Sequence, residues 1–176
     1  MKKISTLLTL LFVTTLISAQ RINISKKGMF IDNVKISLDW KVSDFKKGLG
    51  KADHMKSGAT WVNRVHYYEK KGIIFWEPTS DSGKVIEMQI FYSDKQGAND
   101  SYNKTKRLFS GTITVDNLKL STSLSATEVA NALESWTIEK CYFTNGYKYS
   151  NGIVQINFVF NPDETELLWI DMLPVK

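Results

Sequence analysis

The chain has 176 residues, of which 43% are hydrophobic and 23% charged, with 3 Pro and 1 Cys. These proportions are ordinary for a folded domain and exclude collagen-like, coiled-coil and broadly disordered chains. One cysteine excludes an internal disulfide framework and a cysteine-based zinc cluster, and two histidines offer little basis for a histidine metal site. We therefore expect neither a metal nor a cofactor.

Residues 1–19 have the pattern of a secretory signal peptide. Two lysines precede an apolar stretch over residues 4–17, and small residues at positions 18 and 19 favour cleavage before Gln20. The stretch is short for a permanent membrane span, and no later segment is apolar enough for one. We expect a soluble, exported protein in the periplasm or outside the cell, with an uncleaved N-terminal anchor as the alternative.

The charge balance is mildly basic. Without the two signal-peptide lysines, the net charge falls from +5 to +3. The remaining lysines form short, scattered pairs such as Lys26-Lys27 and Lys46-Lys47. Nucleic-acid binding requires a denser basic footprint beside aromatic platforms, so we do not expect a nucleic-acid partner.

Internal similarity predicts two copies of one unit. Residues 32–37 (DNVKIS) align with residues 116–121 (DNLKLS) at a shift of 84, and four of the six positions are identical. Residues 72–74 match residues 152–154 at a shift of 80. The predicted organisation is a signal peptide (1–19), repeat 1 (20–93), a polar linker (94–111) and repeat 2 (112–176).

The first copy is predicted to begin with a strand over residues 29–38. A short helix follows, capped by Ser43, with Phe45, Leu49 and Ala52 on one face and Gly50 as a plausible stop. The three strands predicted after this helix cover residues 61–68, 72–77 and 85–93.

The second copy repeats that layout. After a strand over residues 112–122, a helix begins at a capping box from Ser125 to Glu128, or at Thr127. The predicted strands that follow cover residues 139–143, 152–160 and 166–172. Alternating apolar and polar residues predict one buried and one wet face of the sheet. The expected fold class is α+β, with two tandem repeats, each a short strand, a short helix and a three-stranded antiparallel meander.

Asp32-Asn33 and Asp116-Asn117 are polar pairs at equivalent positions of the two copies. Such a repeated pair is open to a ligand-binding interpretation. Asp and Asn also form turns by bonding their own backbone, and we favour this second interpretation.

The segment over residues 43–53 (SDFKKGLGKAD) resembles the capped helix of a family of exported bacterial proteins, the small lipoprotein of the outer-membrane β-barrel assembly machinery. The tandem arrangement is similar to that of secreted β-lactamase-inhibitor proteins, which implies a curved sheet that grips another protein. The sequence departs from the family at Ala52, where Pro is common, and at Glu134 in the second copy. The lipoprotein cysteine and the inhibitor disulfides are absent, so no functional residue is carried over.

Sequence patterns of catalysis are absent. The two imidazoles, His54 and His66, are not spaced as a metal or base–nucleophile motif, and the carboxylates favour no acid–base pair. The sequence has no phosphate-binding glycine loop, no nucleophile elbow and no zincin motif. Cys141 lies in an alternating stretch that predicts a buried thiol. We expect a protein that is not an enzyme.

Aromatic residues supply the remaining candidate site. Successive strand residues face opposite sides, so Tyr67 and Tyr68 cannot both enter one core, nor can Phe75 and Trp76. One of each pair is expected on the outer face, which the other repeat covers or which stays open to a partner. The candidate binding surface is Trp61, Tyr68 and Trp76.

Two functions are favoured by these features, and a purely structural envelope component is a third possibility. The first is an exported, non-enzymatic protein of the inhibitor, immunity or envelope-assembly adaptor type, which binds another exported or envelope protein through its sheet. The alternative is a carbohydrate- or small-ligand-binding protein, with an aromatic cleft between the repeats.

Overall fold

The computed structural model describes residues 19–57, 62–94 and 105–175. Within these ranges the chain forms thirteen strands and two short helices. The first half contains β1 (Arg21–Ser25), β2 (Gly28–Ile31), β3 (Val34–Lys35), α1 (Val42–Leu49), β4 (His54–Lys56), β5 (Asn63–Tyr68), β6 (Ile73–Pro78) and β7 (Glu87–Phe91). The second half contains β8 (Thr112–Val115), β9 (Leu118–Lys119), α2 (Ala126–Ala132), β10 (Thr137–Lys140), β11 (Gly146–Ser150), β12 (Val154–Phe160) and β13 (Leu167–Pro174).

The strands form two sheets that both halves share. The five-stranded sheet has the order β3-β2-β1-β8-β9, and the eight-stranded sheet has the order β10-β11-β12-β13-β7-β6-β5-β4. Neighbouring strands are antiparallel except β1 and β8, which run parallel with Ile22 opposite Ile113. The halves join directly in the larger sheet, where Ile170 of β13 lies opposite Ile90 of β7.

The predicted α+β fold of strand–helix–meander repeats is wrong. The described chain is mostly β, and its two helices have only eight and seven residues. Four strands follow each helix rather than three, because β4 and β11 also join the large sheet. The single strand predicted over residues 29–38 is a hairpin of β2 and β3. The strands that the sequence did not predict are short and contain no long apolar run. They are held in the sheets by backbone hydrogen bonds to neighbouring strands.

The two Asp-Asn pairs are turns, as predicted. Asp32 and Asp116 each have a φ of 51°, in the left-handed region that Asp tolerates better than most residues. The Asp32 carboxylate accepts hydrogen bonds from the Arg21 backbone N–H at 2.8 Å and from Gln20 Nε2 at 2.6 Å. The Asp116 carboxylate instead accepts a bond from Trp136 Nε1 at 2.8 Å.

The two helices begin differently. Ser125 is the N-cap of α2 and forms a capping box with Glu128, one of the two predicted starts. The N-cap of α1 is Lys41, which makes no side-chain capping bond, so the predicted cap Ser43 lies inside the helix. Gly50, with a φ of 81°, ends α1 as predicted.

Apolar side chains are buried on both faces of the eight-stranded sheet. The main cluster lies on one face and includes Phe45 of α1, with Phe75 and Tyr68 of the sheet. A second cluster, on the other face, includes Tyr67, and both tyrosines are only 1% exposed. The expectation of one wet face is therefore wrong. The buried residues of the second cluster are Val65, Tyr67, Ile74, Phe91, Val159, Leu168 and Trp169.

Cys141 is buried, as predicted, and burial raises the pKa of its thiol.

The end of the predicted linker contacts the core. Phe109, which lies in this segment, is buried, and its backbone N–H donates to Phe91 O at 2.8 Å. None of the described helices is long and apolar enough to cross a membrane.

Candidate functional site

A buried imidazole and a buried carboxylate form a pair on the helix side of the eight-stranded sheet. His66 of β5 and Glu77 of β6 lie on adjacent antiparallel strands, because His66 is opposite Phe75 and Glu77 is opposite Arg64. The distance from His66 Nε2 to Glu77 Oε2 is 2.7 Å. The two side chains are only 4% and 7% exposed, so the pair is held out of bulk water.

The second carboxylate oxygen of Glu77 organises the loop between β6 and β7. Glu77 Oε1 accepts hydrogen bonds from the Gly83 backbone N–H at 2.8 Å and from Ser82 Oγ at 3.1 Å. Arg64 Nη1 lies 3.4 Å from the same oxygen. Burial raises the pKa of Glu77, but the bonds from His66, Gly83 and Ser82 outweigh it and lower the pKa below its ordinary value. Glu77 is therefore ionised at neutral pH.

His66 is the neutral member of the pair. Burial lowers the pKa of its imidazole, and the positive charges of Lys46 and Arg64 act in the same direction against the opposing effect of Glu77. An ionised carboxylate only accepts hydrogen bonds, so His66 Nε2 carries the proton and Nδ1 is an acceptor. Nδ1 has no hydrogen-bond partner among the described residues. The ring is held against Phe75, with the ring centroids 4.4 Å apart.

Two cavities flank this pair, and we call them together the α1 groove. The first, of about 540 Å³, contains Glu77 in its wall, together with the start of α1 and the loop before β7. The second, of about 550 Å³, contains His66, the segment after α1 and β4. Lys46 of α1 lines both cavities. Each volume is in the range that holds a small ligand.

The groove is lined by equal numbers of lysines and carboxylates: Lys41, Lys46, Lys51, Lys84, Asp39, Asp53, Glu77 and Asp81. In the first cavity, Lys41 lies 3.5 Å from Asp39, and Lys84 lies 2.8 Å from Asp81. Lys46 has no acidic partner within ion-pair distance among the residues described. An unpaired ammonium near a neutral imidazole acceptor favours a ligand that carries both a negative charge and a hydrogen-bond donor.

Sequence reasoning missed this site. The sequence pattern did not connect His66 with Glu77, because eleven residues separate them and only the β5–β6 pairing brings them together. The available signal was a predicted hairpin in which each strand carries a titratable residue on the same face, His66 in β5 and Glu77 in β6. Among the described residues, no group of three or more His, Cys, Asp or Glu is arranged to hold a metal ion.

The sequence-predicted binding surface is not assembled as expected. Tyr68 lies in the core, and its Oη donates to Gly50 O at 3.0 Å. Trp76 is half-buried and packs against the second cluster. Trp61 lies outside the described residues. Of the three, Trp76 is the described residue with surface left for a partner.

A family model matches residues 21–130, which is more than half of the chain. The family is described as a domain of unknown function, DUF7738. The chain belongs to the DUF7738 family. The DUF7738 segment contains every residue of the α1 groove and runs across the predicted linker into α2. No curated protein is significantly similar in sequence.

Some solved structures resemble this DUF7738 chain at a low level of likeness. A DUF4309 family protein from Bacillus subtilis is 11% identical with a TM-score of 0.44, over 82% of this chain and 84% of that one. An extracellular SCP-domain protein from Bacillus anthracis is 9% identical (TM-score 0.43), over 81% of this chain and 46% of that one. A cysteine-rich secretory protein from Staphylococcus aureus is 12% identical (TM-score 0.37), over 76% and 43%. Likeness at this level assigns no function.

Proposed function

We propose that this DUF7738 protein is an exported binding protein whose α1 groove holds a small hydroxylated carboxylate, such as an acidic sugar of monosaccharide size. Export rests on the signal-peptide pattern of residues 1–19. The observation that carries the ligand class is the combination of His66 Nδ1, an unused acceptor, with Lys46, an unpaired ammonium.

Each part of such a ligand has a counterpart in the groove. A ligand carboxylate pairs with the Lys46 ammonium, and a hydroxyl of the same molecule donates to His66 Nδ1. Glu77 fixes the imidazole tautomer that leaves Nδ1 as an acceptor. A charge-assisted bond of this kind contributes about 1.5–3 kcal/mol, or roughly tenfold or more in affinity.

We propose binding rather than catalysis for this site. The Ser82 hydroxyl is hydrogen-bonded to the pair, but it donates to Glu77 Oε1 and makes no hydrogen bond to His66. A base–nucleophile arrangement requires the hydroxyl on the imidazole. The site lies within the first half of the chain, so it differs from the cleft between repeats that the sequence suggested.

Calorimetric titration of residues 20–176 with D-glucuronate tests this function, with glucose as the uncharged control. We expect glucuronate to bind and glucose to bind at least about tenfold more weakly. Lys46→Met removes the ammonium that lines both cavities of the groove, whereas Lys47→Met removes the neighbouring charge of the same helix outside it. Binding weakened by the first substitution and kept in the second supports the proposal. Equal binding of glucose, or equal losses in both variants, contradicts it.

A protein partner remains the second candidate, and exposed apolar residues near Trp76 favour it. Val62 and Ile86 are 73% and 39% exposed. The Ile86 N–H donates to Trp76 O, and Val62 O accepts from the Thr79 N–H, so both flank the end of β6. Affinity capture from envelope and medium fractions tests this candidate. A stoichiometric partner that is lost with Trp76→Ala, in a variant that stays folded, supports it, and capture unchanged by that substitution contradicts it.

A further inference from the structure

Gln20 is buried directly beside an exposed residue. Ala19 is exposed, whereas Gln20 is only 7% exposed and has all of its side-chain amide atoms engaged. Gln20 Nε2 donates to Asp32 Oδ2 at 2.6 Å and to Gly48 O at 3.2 Å. Gln20 Oε1 accepts from Lys71 Nζ at 2.6 Å.

The same residue joins separate parts of the fold. Gly48 belongs to α1, Lys71 lies in the turn between β5 and β6, and Asp32 forms the β2–β3 turn. The Gln20 backbone carbonyl accepts a hydrogen bond from the Thr112 N–H at 2.8 Å, which begins the second half. Lys71 Nζ also donates to Leu49 O at 2.6 Å, so the cation and the amide hold the end of α1 together.

Cleavage before Gln20 would give this residue a free α-amine. An N-terminal glutamine can then cyclise: the α-amino nitrogen attacks the side-chain Cδ, the Cδ–Nε2 bond breaks, and a proton from the amine leaves with the departing nitrogen as ammonia. The product is a five-membered lactam, and the step requires no oxidant, reductant or co-reactant. It removes a positive charge and the side-chain N–H donors from the N-terminus.

We infer that Gln20 is the N-terminal residue of the mature protein and that its buried amide bonds keep it from cyclising in the folded state. Attack requires Cδ to turn back onto the residue's own nitrogen, which the bonds to Asp32, Gly48 and Lys71 prevent. The lactam has no Nε2, so cyclisation loses both donor bonds and leaves an Asp32 oxygen without its partner. This inference rests on the predicted cleavage site and is independent of the ligand proposed for the groove.

The test starts from a fusion protein whose protease leaves Gln20 as the first residue. Intact mass measured over time at neutral pH reports the loss of ammonia. We expect cyclisation of the folded chain to be at least about tenfold slower than in urea, because reaction requires local opening. Equal rates in the folded and unfolded states would overturn the inference.

Two matched variants distinguish the effect of losing the Gln20 amide bonds from the effect of a general disruption of the turns. Asp32→Asn weakens the acceptor for Gln20, and we expect faster cyclisation in the folded state. Asp116→Asn changes the equivalent turn residue, which has the same φ of 51° but bonds Trp136, and we expect no acceleration. Circular dichroism establishes that both variants are folded. Equal acceleration in both, or a mature N-terminus other than unmodified Gln20 in the exported protein, contradicts the inference.

Discussion

Tyr67 and Tyr68 are consecutive residues of β5 whose rings lie on opposite faces of the eight-stranded sheet, and each is only 1% exposed. Tyr68 Oη donates to Gly50 O at 3.0 Å, and burial, with a smaller effect of Asp53, raises its pKa to about 12. Tyr67 Oη has no hydrogen-bond partner among the described residues, although its ring stacks on His54. The hydroxyl of Tyr68 therefore makes a hydrogen bond, whereas the hydroxyl of the preceding residue, Tyr67, makes none with the described residues.

Removing these two hydroxyls should have different effects on stability. Tyr68→Phe removes a hydrogen bond and leaves Gly50 O without its donor, so the free energy of unfolding should fall by about 1 kcal/mol. Tyr67→Phe removes a buried hydroxyl that has no partner, and should leave stability unchanged or slightly higher. Urea unfolding of both variants measures the difference, and equal losses would contradict the assignment.

Stability should fall as the pH falls below about 6.5. The folded-state pKa of His66 lies below its ordinary value of 6.5 because burial disfavours the imidazolium. The unfolded chain therefore binds more protons than the folded chain below that pH, and the free energy of unfolding decreases. The loss begins near pH 6.5 and ends at the folded-state pKa of His66. Glu77, whose pKa is lowered from 4.5, adds a further loss in stronger acid.

The two histidines provide the control for this pH dependence. His66→Gln keeps a side-chain N–H for Glu77 but does not titrate, so it should flatten the decline that begins near pH 6.5. His54→Gln replaces the other imidazole of the chain, which is 39% exposed beside Glu69, and is the matched comparison. Urea unfolding at a series of pH values gives both slopes. If the decline in stability persists in His66→Gln, groups other than His66 cause it.

The helix starts predict unequal effects of two serine substitutions. Ser125→Ala removes the side-chain cap of α2 and should lower the free energy of unfolding by about 1 kcal/mol. Ser43→Ala changes a residue inside α1 whose hydroxyl lies 3.5 Å from Asp44 Oδ1, and should change stability by only a few tenths of a kcal/mol. Thermal unfolding followed by circular dichroism compares them. A larger loss at Ser43 would contradict the caps described above.

Two glycines with positive φ should respond differently to alanine. Gly72 has a φ of 68°, and a Cβ there would lie 2.3 Å from the Phe109 backbone nitrogen. Gly83 has a φ of 98° with nothing within 4 Å of an added Cβ. We expect Gly83→Ala to cost about 1–2 kcal/mol from backbone strain alone, and Gly72→Ala to cost clearly more. Urea midpoints of the two variants test this order.

Local structure was the part of the fold that the sequence predicted well. The alternation of Val154, Ile156, Phe158 and Phe160 identifies one buried face of β12, because side chains alternate along a strand. The turn at Asp32-Asn33 was predicted on the same local basis. The burial of Val159 and Phe91 on the other face was not, because it depends on which strands become neighbours in the large sheet.

The candidate site was not predictable from local patterns. His66 and Glu77 meet only through the β5–β6 register, and the groove exists only after α1 has packed against that sheet. Tyr68 was assigned to the surface because one of two consecutive tyrosines was expected to face outward. The sheet buries both faces at this position, so the alternation of side chains did not decide exposure.

The position of β1 bears on the order in which the protein acquires its structure. This strand is the first of the described chain, yet it lies at the centre of the five-stranded sheet, between β2 and β8. Ile22 pairs with Ile113, so the parallel contact closes a long loop that contains every element from β2 to β7. Contacts between residues far apart in sequence form slowly. Until β8 arrives, one side of β1 is an open strand edge and a site for pairing with other chains.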